Sequence, residues 1–255
     1  MLCLNPPRLL PPPRVPTYNP RTAPEDAHAM RFIVAPAAVL LIAAVSVAQN
    51  PATPAEQSAL KSAELMKGVG GIDPTLAPAA RVSVKFTAAG DAALITLSKH
   101  KEVGAIQILD ATACTVKGFT ALKALPNLRK LVLNRSGVSD KELAEIAILS
   151  QLRVLIIPEA QVTDTGVAAV EKLTRLESLD LSDNPRLTDK AAAHVKTLLR
   201  LESLFLNKTG LTDKGLAELR TLEGLRDLTV AGTKVTAKAA EAFADEMPNL
   251  RAVRR

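Results

Sequence analysis

Residues 176–189 read LESLDLSDNPRLTD. Leu179 and Leu181 flank one residue, the period-two signature of a strand with one buried face, and Leu176 adds an apolar residue three positions upstream. Small and polar residues and Pro185 follow. Leu187, the Thr188 hydroxyl and the Asp189 carboxylate then precede a segment with helical spacing. A strand, a turn and a helix start are thus compressed into one short unit.

The unit recurs. Couplets stand at Val82/Val84, Ile106/Ile108, Leu131/Leu133, Leu155/Ile157, Leu179/Leu181, Leu204/Leu206 and Leu228/Val230, with Val253 opening an eighth. Their first members are 24, 25, 24, 24, 25, 24 and 25 residues apart, and a fixed period of that size marks a solenoid. Three positions upstream lie Val103, Leu128, Leu152, Leu176, Leu201, Leu225 and Leu250. Downstream, Cys114, Val138, Val162, Leu187, Leu211 and Val235 form an aliphatic column, each followed by a hydroxyl from Thr115, Ser139, Thr163, Thr188, Thr212 or Thr236.

Ser or Thr before an apolar run such as Leu216, Leu219 and Leu222 caps a helix by accepting orphan backbone N–H groups, and Ser139 with Glu142 has capping-box spacing. Asp140, Asp164, Asp189 and Asp213 follow at the first helical position, where the helix dipole favours a carboxylate. With so few residues per unit, each strand must lie parallel to the last at about 4.8 Å, with the helices stacked opposite. Helices are wider than strands, so the sheet takes the concave side.

The motif LxxLxLxx(N/C/T) is matched at Leu128-Leu131-Leu133-Ser136, Leu176-Leu179-Leu181-Asn184, Leu201-Leu204-Leu206-Thr209 and Leu225-Leu228-Val230-Thr233. On these residues the chain resembles the leucine-rich repeat family over about residues 72–255. The segments LTDKGLAEL (211–219) and VTDTGVAAV (162–170) look like the subclass common in secreted planctomycete proteins and related to the cysteine-containing repeats. The resemblance implies an α/β fold: a right-handed solenoid of about seven to eight turns, with a parallel concave sheet and short convex helices. It also implies that Thr87, Ala111, Ser136, Ala160, Asn184, Thr209 and Thr233 occupy the buried hydrogen-bonding spine. Ala111 and Ala160 have no side chain for that task, so a less regular spine is expected there.

Upstream, residues 1–29 contain eight prolines and no apolar periodicity, and read as a disordered extension. Arg31, the hydrophobic stretch Phe32–Val47 and the small residues before Gln49 fit a signal peptide over 30–48, with an uncleaved anchor as the alternative and Met30 as the expected start of translation. A linker over 49–54 and a capping helix over 55–71, ended by Gly70 and Gly71, complete the expected organisation.

The chain has 32 Lys plus Arg against 26 Asp plus Glu, a mild basic bias. Its cations stand mostly beside acids in turns and helices, which speaks against nucleic acid as a partner. With Cys3 in the extension, Cys114 remains alone, so no intramolecular disulfide or Cys-based metal cluster is expected, and its aliphatic slot makes it a core residue. No GxxxxGK[ST], HExxH or GxSxG motif occurs, and no cofactor and no enzymatic activity are expected. Asp180, Asp183, Asn184 and Asp189 could supply oxygen ligands to calcium, but spine, turn and helix start account for most of that segment.

If the couplets point inward, the residues between them face the concave side. The candidate partner-binding residues are the apolar Val132, Val154, Ile156 and Pro158, flanked by Leu109 and Phe205 and rimmed by Lys130, Asp180 and Asn207. Such a surface suits a protein or peptide. β-Branched residues also favour strands for backbone reasons, so mutual cover between neighbouring strands is the competing explanation. The expected function is non-catalytic protein or peptide recognition by a secreted, periplasmic or cell-envelope protein. The alternative is a structural envelope protein without a discrete ligand.

Overall fold

The computed structural model describes residues 51–255; the expected extension, the leader and the first two linker residues lie outside the described residues. Nine strands form one sheet in chain order: β1 (Val69–Ile72), β2 (Val82–Phe86), β3 (Val103–Ile108), β4 (Lys130–Leu133), β5 (Val154–Ile156), β6 (Ser178–Asp180), β7 (Ser203–Phe205), β8 (Asp227–Thr229) and β9 (Ala252–Arg254). From β2 onward every pairing is parallel, and β1 runs antiparallel to β2. Helix α1 (Pro54–Leu65) precedes the sheet. The crossovers carry α2 (Asp91–Leu97), α3 (Val116–Ala121), α4 (Asp140–Ile146), α5 (Asp164–Val167), α6 (Asp189–Val195), α7 (Asp213–Glu218) and α8 (Ala237–Glu246).

This is a leucine-rich repeat solenoid, and its core is the repeat pattern made physical. Ile106, Leu131, Leu155, Leu179, Leu204 and Leu228 lie opposite one another in successive strands and are at most 1% exposed. The upstream apolar residues from Val103 to Leu225 and the aliphatic column from Cys114 to Val235 are buried with them.

The first coil departs from the expected alignment. Val84 pairs with Ile106 and Phe86 with Ile108, so its couplet is Val84/Phe86 rather than Val82/Val84. A shift of two residues keeps every side chain on its own face, and Val82, Val84 and Phe86 are all fully buried, so alternation alone could not reveal it. Thr87 is accordingly exposed and holds no spine position. At the spine, the residue before the site takes a left-handed backbone at Arg135, Glu159, Asp183, Lys208 and Gly232. The Ala160 turn therefore keeps the regular geometry, contrary to expectation. The Ala111 turn departs from it: Asp110 bends onto Thr112, whose N–H and hydroxyl donate to its carboxylate at 3.2 and 2.7 Å.

The cap also differs from a single helix over 55–71. Helix α1 ends at Leu65, Lys67 takes φ 61°, and Gly70 and Gly71 lie within strand β1. Gly68 permits the reversal to pack, because a Cβ there would lie 2.4 Å from the Phe86 ring. Beneath α1 a buried ion pair ties cap to solenoid: Arg81 Nε and Nη2 donate to Glu56 Oε1 and Oε2 at 3.0 and 2.9 Å. Glu56 also accepts the Thr53 N–H at 2.7 Å in a capping box.

The helix-start carboxylates do more than complement a dipole. Each reaches the next coil's cap residue: Asp189 Oδ1 accepts the Thr212 N–H at 2.8 Å and Oδ2 its hydroxyl at 2.7 Å. Asp91 binds Thr115, Asp140 binds Thr163, Asp164 binds Thr188 and Asp213 binds Thr236 in the same way. The series is interrupted once. Val116 stands where a carboxylate would serve Ser139, and there Glu142 of the same helix accepts the Ser139 N–H and hydroxyl, at 2.9 and 2.5 Å.

Asp189→Ala leaves the Thr212 N–H and hydroxyl without their acceptor and is expected to lower stability by about 2 kcal/mol, measured by urea unfolding. For Glu56, burial alone would raise the pKa, but hydrogen bonds from Arg81 and Thr53 outweigh it and hold the carboxyl below its usual 4.5. A depressed folded pKa gives stability that is present above the unfolded value and lost as pH falls through the folded one. Glu56→Ala should therefore destabilise the chain by about 3 kcal/mol at pH 7, with the difference shrinking below about pH 4.5 in parallel thermal melts.

Candidate functional site

Pairing in register turns the outward residues of the strands into columns. Gln107, Val132, Ile156, Asp180, Phe205 and Thr229 lie opposite one another on β3 to β8 and form the central column. Lys130, Val154, Ser178, Ser203 and Asp227 form a second column towards the strands' N-terminal ends. Of the predicted residues, Val132, Ile156, Asp180 and Phe205 thus come together in one line, and Lys130 and Val154 in the adjoining one. Leu109, Pro158 and Asn207 lie in the turns that follow β3, β5 and β7.

The expected open apolar patch is corrected in one respect. Val132 is only 5% exposed, while Leu109, Val154, Ile156, Pro158 and Phe205 are half-buried. Strands about 4.8 Å apart let side chains on one face cover their neighbours, so Gln107 and Ile156 close over Val132. The exposed large hydrophobic residues, Leu65, Val69, Ile148 and Leu199 among them, lie elsewhere.

The polar members give this face its character. Asp180 is half-buried between Ile156 and Phe205, and burial pushes its carboxyl above the ordinary 3.8 despite hydrogen bonds from Ser182. Its Oδ1 accepts the Ser182 N–H at 2.8 Å. Asn207 links the adjacent turns, accepting the Ala231 N–H at 2.8 Å and donating to Ser182 Oγ at 3.3 Å. The Thr229 hydroxyl is buried without a hydrogen-bond partner, and Thr229 lines a hollow of about 110 Å³ with Phe205, Asp227, Arg251 and Arg254. Sequence reasoning missed Thr229 as a site residue, because its signal is an unmet hydrogen bond rather than a residue type.

No catalytic constellation forms among the described residues. Burial pushes the Cys114 thiol up to about 12, and Sγ donates to the Ala89 carbonyl at 3.3 Å, so no thiolate nucleophile is available near neutral pH. His100, after the turn that follows α2, pairs with Ser62 of the cap helix at 2.8 Å, and His194 with Glu171 of the preceding coil at 2.6 Å. The carboxylates considered for calcium are committed elsewhere. Asp183 pairs with Lys208 at 2.7 Å and Asp189 binds Thr212, while Asn184 Nδ2 donates to the carbonyls of Ile157, Leu181 and Ser182. No group of three or more His, Cys, Asp or Glu residues placed to hold a metal ion occurs among the described residues.

Residues 172–193 match the family model described as "Leucine Rich repeat". The fold is that of a leucine-rich-repeat solenoid, and one of its coils carries the family's repeat signature. Among solved structures, an internalin of Listeria monocytogenes is similar at 23% identity and a TM-score of 0.49, over 63% of this chain and 43% of that one. Internalin C2 of the same organism is similar at 18% identity and a TM-score of 0.45, over 68% of this chain and 78% of that one. The chain thus spans less than half the length of the first of these proteins. No curated protein matches it.

Asp180 supplies a test of how far this face is kept for something other than stability. A carboxyl whose folded pKa is raised costs nothing below its unfolded pKa, and its cost grows as pH rises through the folded value. Asp180→Asn should therefore leave stability unchanged near pH 3.5 and raise it at pH 7, as read from thermal melts across that range.

Proposed function

We propose that this chain is a non-catalytic recognition protein that works outside the cytoplasm and holds a protein or peptide against the inner face of its sheet. The observation that carries the reading is the central column, where Ile156, Asp180, Phe205 and Thr229 stand in register with a carboxylate retained half-buried among apolar neighbours. A half-buried charge with a raised pKa and an unpaired buried hydroxyl are each costly in a free protein, and both would be relieved by a bound polar group. Val154, Lys130, Leu109, Pro158 and Asn207 border the same surface and complete the candidate contact set.

The leader read at 30–48 supports an extracytoplasmic, envelope or secreted location. The Thr-Asp-x-Gly turns at 163–166 and 212–215 support the likeness to the repeats of secreted planctomycete proteins. The alternative is a structural envelope protein whose repeats pack against neighbours or wall polymer without a discrete ligand. Arg251, Arg254 and Arg255, exposed on the last coil, oppose edge-to-edge pairing.

Ile156→Asp places a charge in the middle of the column on a half-buried strand position. Crosslinked affinity capture from the native envelope should fall at least about tenfold for this variant, with an unchanged circular dichroism spectrum. Equal capture by variant and parent would remove the face from consideration, and capture of many copies of the chain alone would favour the structural role.

A further inference from the structure

The segment between β1 and β2 folds back across the sheet. The Asp73 N–H donates to the Arg81 carbonyl at 2.7 Å, and Asp73 Oδ1 accepts the Thr75 N–H and hydroxyl at 2.9 and 2.6 Å. Gly104, inside β3, makes room for the crossing. A Cβ on it would lie 2.0 Å from the Ala80 carbonyl oxygen and 3.1 Å from Leu76 Cδ1. A glycine in a strand interior marks such close approach. Next to this crossing, Arg129 precedes Lys130 at the start of β4 and Arg153 precedes Val154 at the start of β5. With the 73–77 segment and Glu177 they line an open cleft of about 530 Å³.

The residues immediately before the strands form a charged row from coil to coil. Arg153 pairs with Glu177 at 2.7 Å and Arg226 with Glu202 at 3.6 Å, while Arg251 reaches Asp227 at 3.7 Å. Arg129 is the member of this row without an acid. Its guanidinium makes one hydrogen bond, to the Pro126 carbonyl at 3.1 Å, and its row neighbour is Arg153. Burial, then the charges of Arg153 and Arg175, lower its pKa. Lys130 is exposed and forms no ion pair among the described residues. The cleft therefore gathers cations of which two, Arg129 and Lys130, have no partner acid, and a guanidinium matches a carboxylate with two parallel hydrogen bonds.

We infer that this cleft is a subsite for a side-chain carboxylate of an acidic peptide, with Arg129 as its principal contact and Lys130 as the second. The inference deepens the proposed recognition function and rests on it, since Lys130 lies opposite Val154 and the cleft opens at the N-terminal edge of the same sheet face. Peptide chemistry fits better than nucleic acid. Glu177 and Asp73 on the cleft walls repel a phosphate carried in the backbone of a nucleic acid, whereas a carboxylate on a flexible side-chain arm reaches past them to Arg129 and Lys130.

The test uses the full chain and a labelled hexaglutamate peptide, acetylated and amidated so that only side-chain carboxylates are offered, followed by fluorescence anisotropy. Binding is expected for the parent protein, weakened by added salt and at least about tenfold weaker for Arg129→Gln/Lys130→Gln. Arg220→Gln, which removes a cation paired with Glu246 on the helical side, should bind as the parent does. Removing one of two like charges relieves repulsion, so the double variant should keep its thermal transition. No binding by the parent, equal binding by the double variant, or tighter binding of an oligothymidylate of equal charge would overturn the inference. Ile156→Asp is read separately by partner capture: loss there with hexaglutamate binding intact supports both readings. Intact capture with hexaglutamate binding sensitive to Arg129 removes the central column and keeps the cleft.

Discussion

Everything in this molecule follows from the need for each coil to return its apolar couplet to the place occupied by the couplet of the coil before. Leu131, Leu155, Leu179 and Leu204 stand opposite one another with no exposed surface, and each contributes about 2 kcal/mol by burial. A strand only three residues long, such as β5 or β6, has too few ladder hydrogen bonds to hold itself in place. Its register is set by the leucine column beneath it, and the outward columns of the sheet inherit that register. The geometry of the candidate site is thus determined by side chains that never touch a partner.

The second coil-to-coil tie is polar and lies at the opposite side of the coil. Carboxylates such as Asp140 and Asp189 sit at one helix start and accept both groups of the next coil's Thr; Thr212 also caps its own helix, whereas Thr163, against expectation, makes no side-chain cap bond and is held by Asp140 alone. The glycines of the Thr-Asp-x-Gly turns belong to the same device. A Cβ on Gly166 or Gly215 would lie 2.1 or 2.3 Å from the carboxylate oxygen of Asp140 or Asp189. Where Val116 breaks the series, Gly gives way to Glu142, which supplies the missing carboxylate from within the coil.

Much of this was legible because period and parity are properties of the residue string. The couplets, the aliphatic column and the caps at Thr115, Ser139, Thr188, Thr212 and Thr236 all occupy the places their spacing implies. Register in the first coil was not legible, since moving from Val82/Val84 to Val84/Phe86 leaves the inward pattern unchanged and only the pairing to β3 distinguishes them. Exposure on the concave face was similarly hidden. Alternation says that Val132 points outward, and only the proximity of Gln107 and Ile156 says that it is nevertheless covered. Contacts made by the cap loop lie further from any pattern, because the crossing of residues 73–80 over β3 is recorded in the sequence only as a glycine, Gly104, within a strand.

These distinctions bear on how such a surface could be selective without strong anchors. The described residues include no Trp or Tyr, and the one aromatic side chain in the central column, Phe205, is half-buried. Apolar contact alone would therefore give modest affinity and little discrimination. Charges arranged by the same repeat supply what the aromatics do not. Most cations in the row before the strands are paired with an acid of a neighbouring coil, so their fields are short-ranged, whereas Arg129 beside Arg153 leaves positive charge concentrated before β4 and β5. On β6, Asp180 presents a carboxylate in a partly dry setting. Under the proposed reading, a peptide lying across β4 to β6 would meet positive charge, then the covered aliphatic stretch of Val132 and Ile156, then a hydrogen-bonding acid, an order that would favour one direction of the peptide over the other.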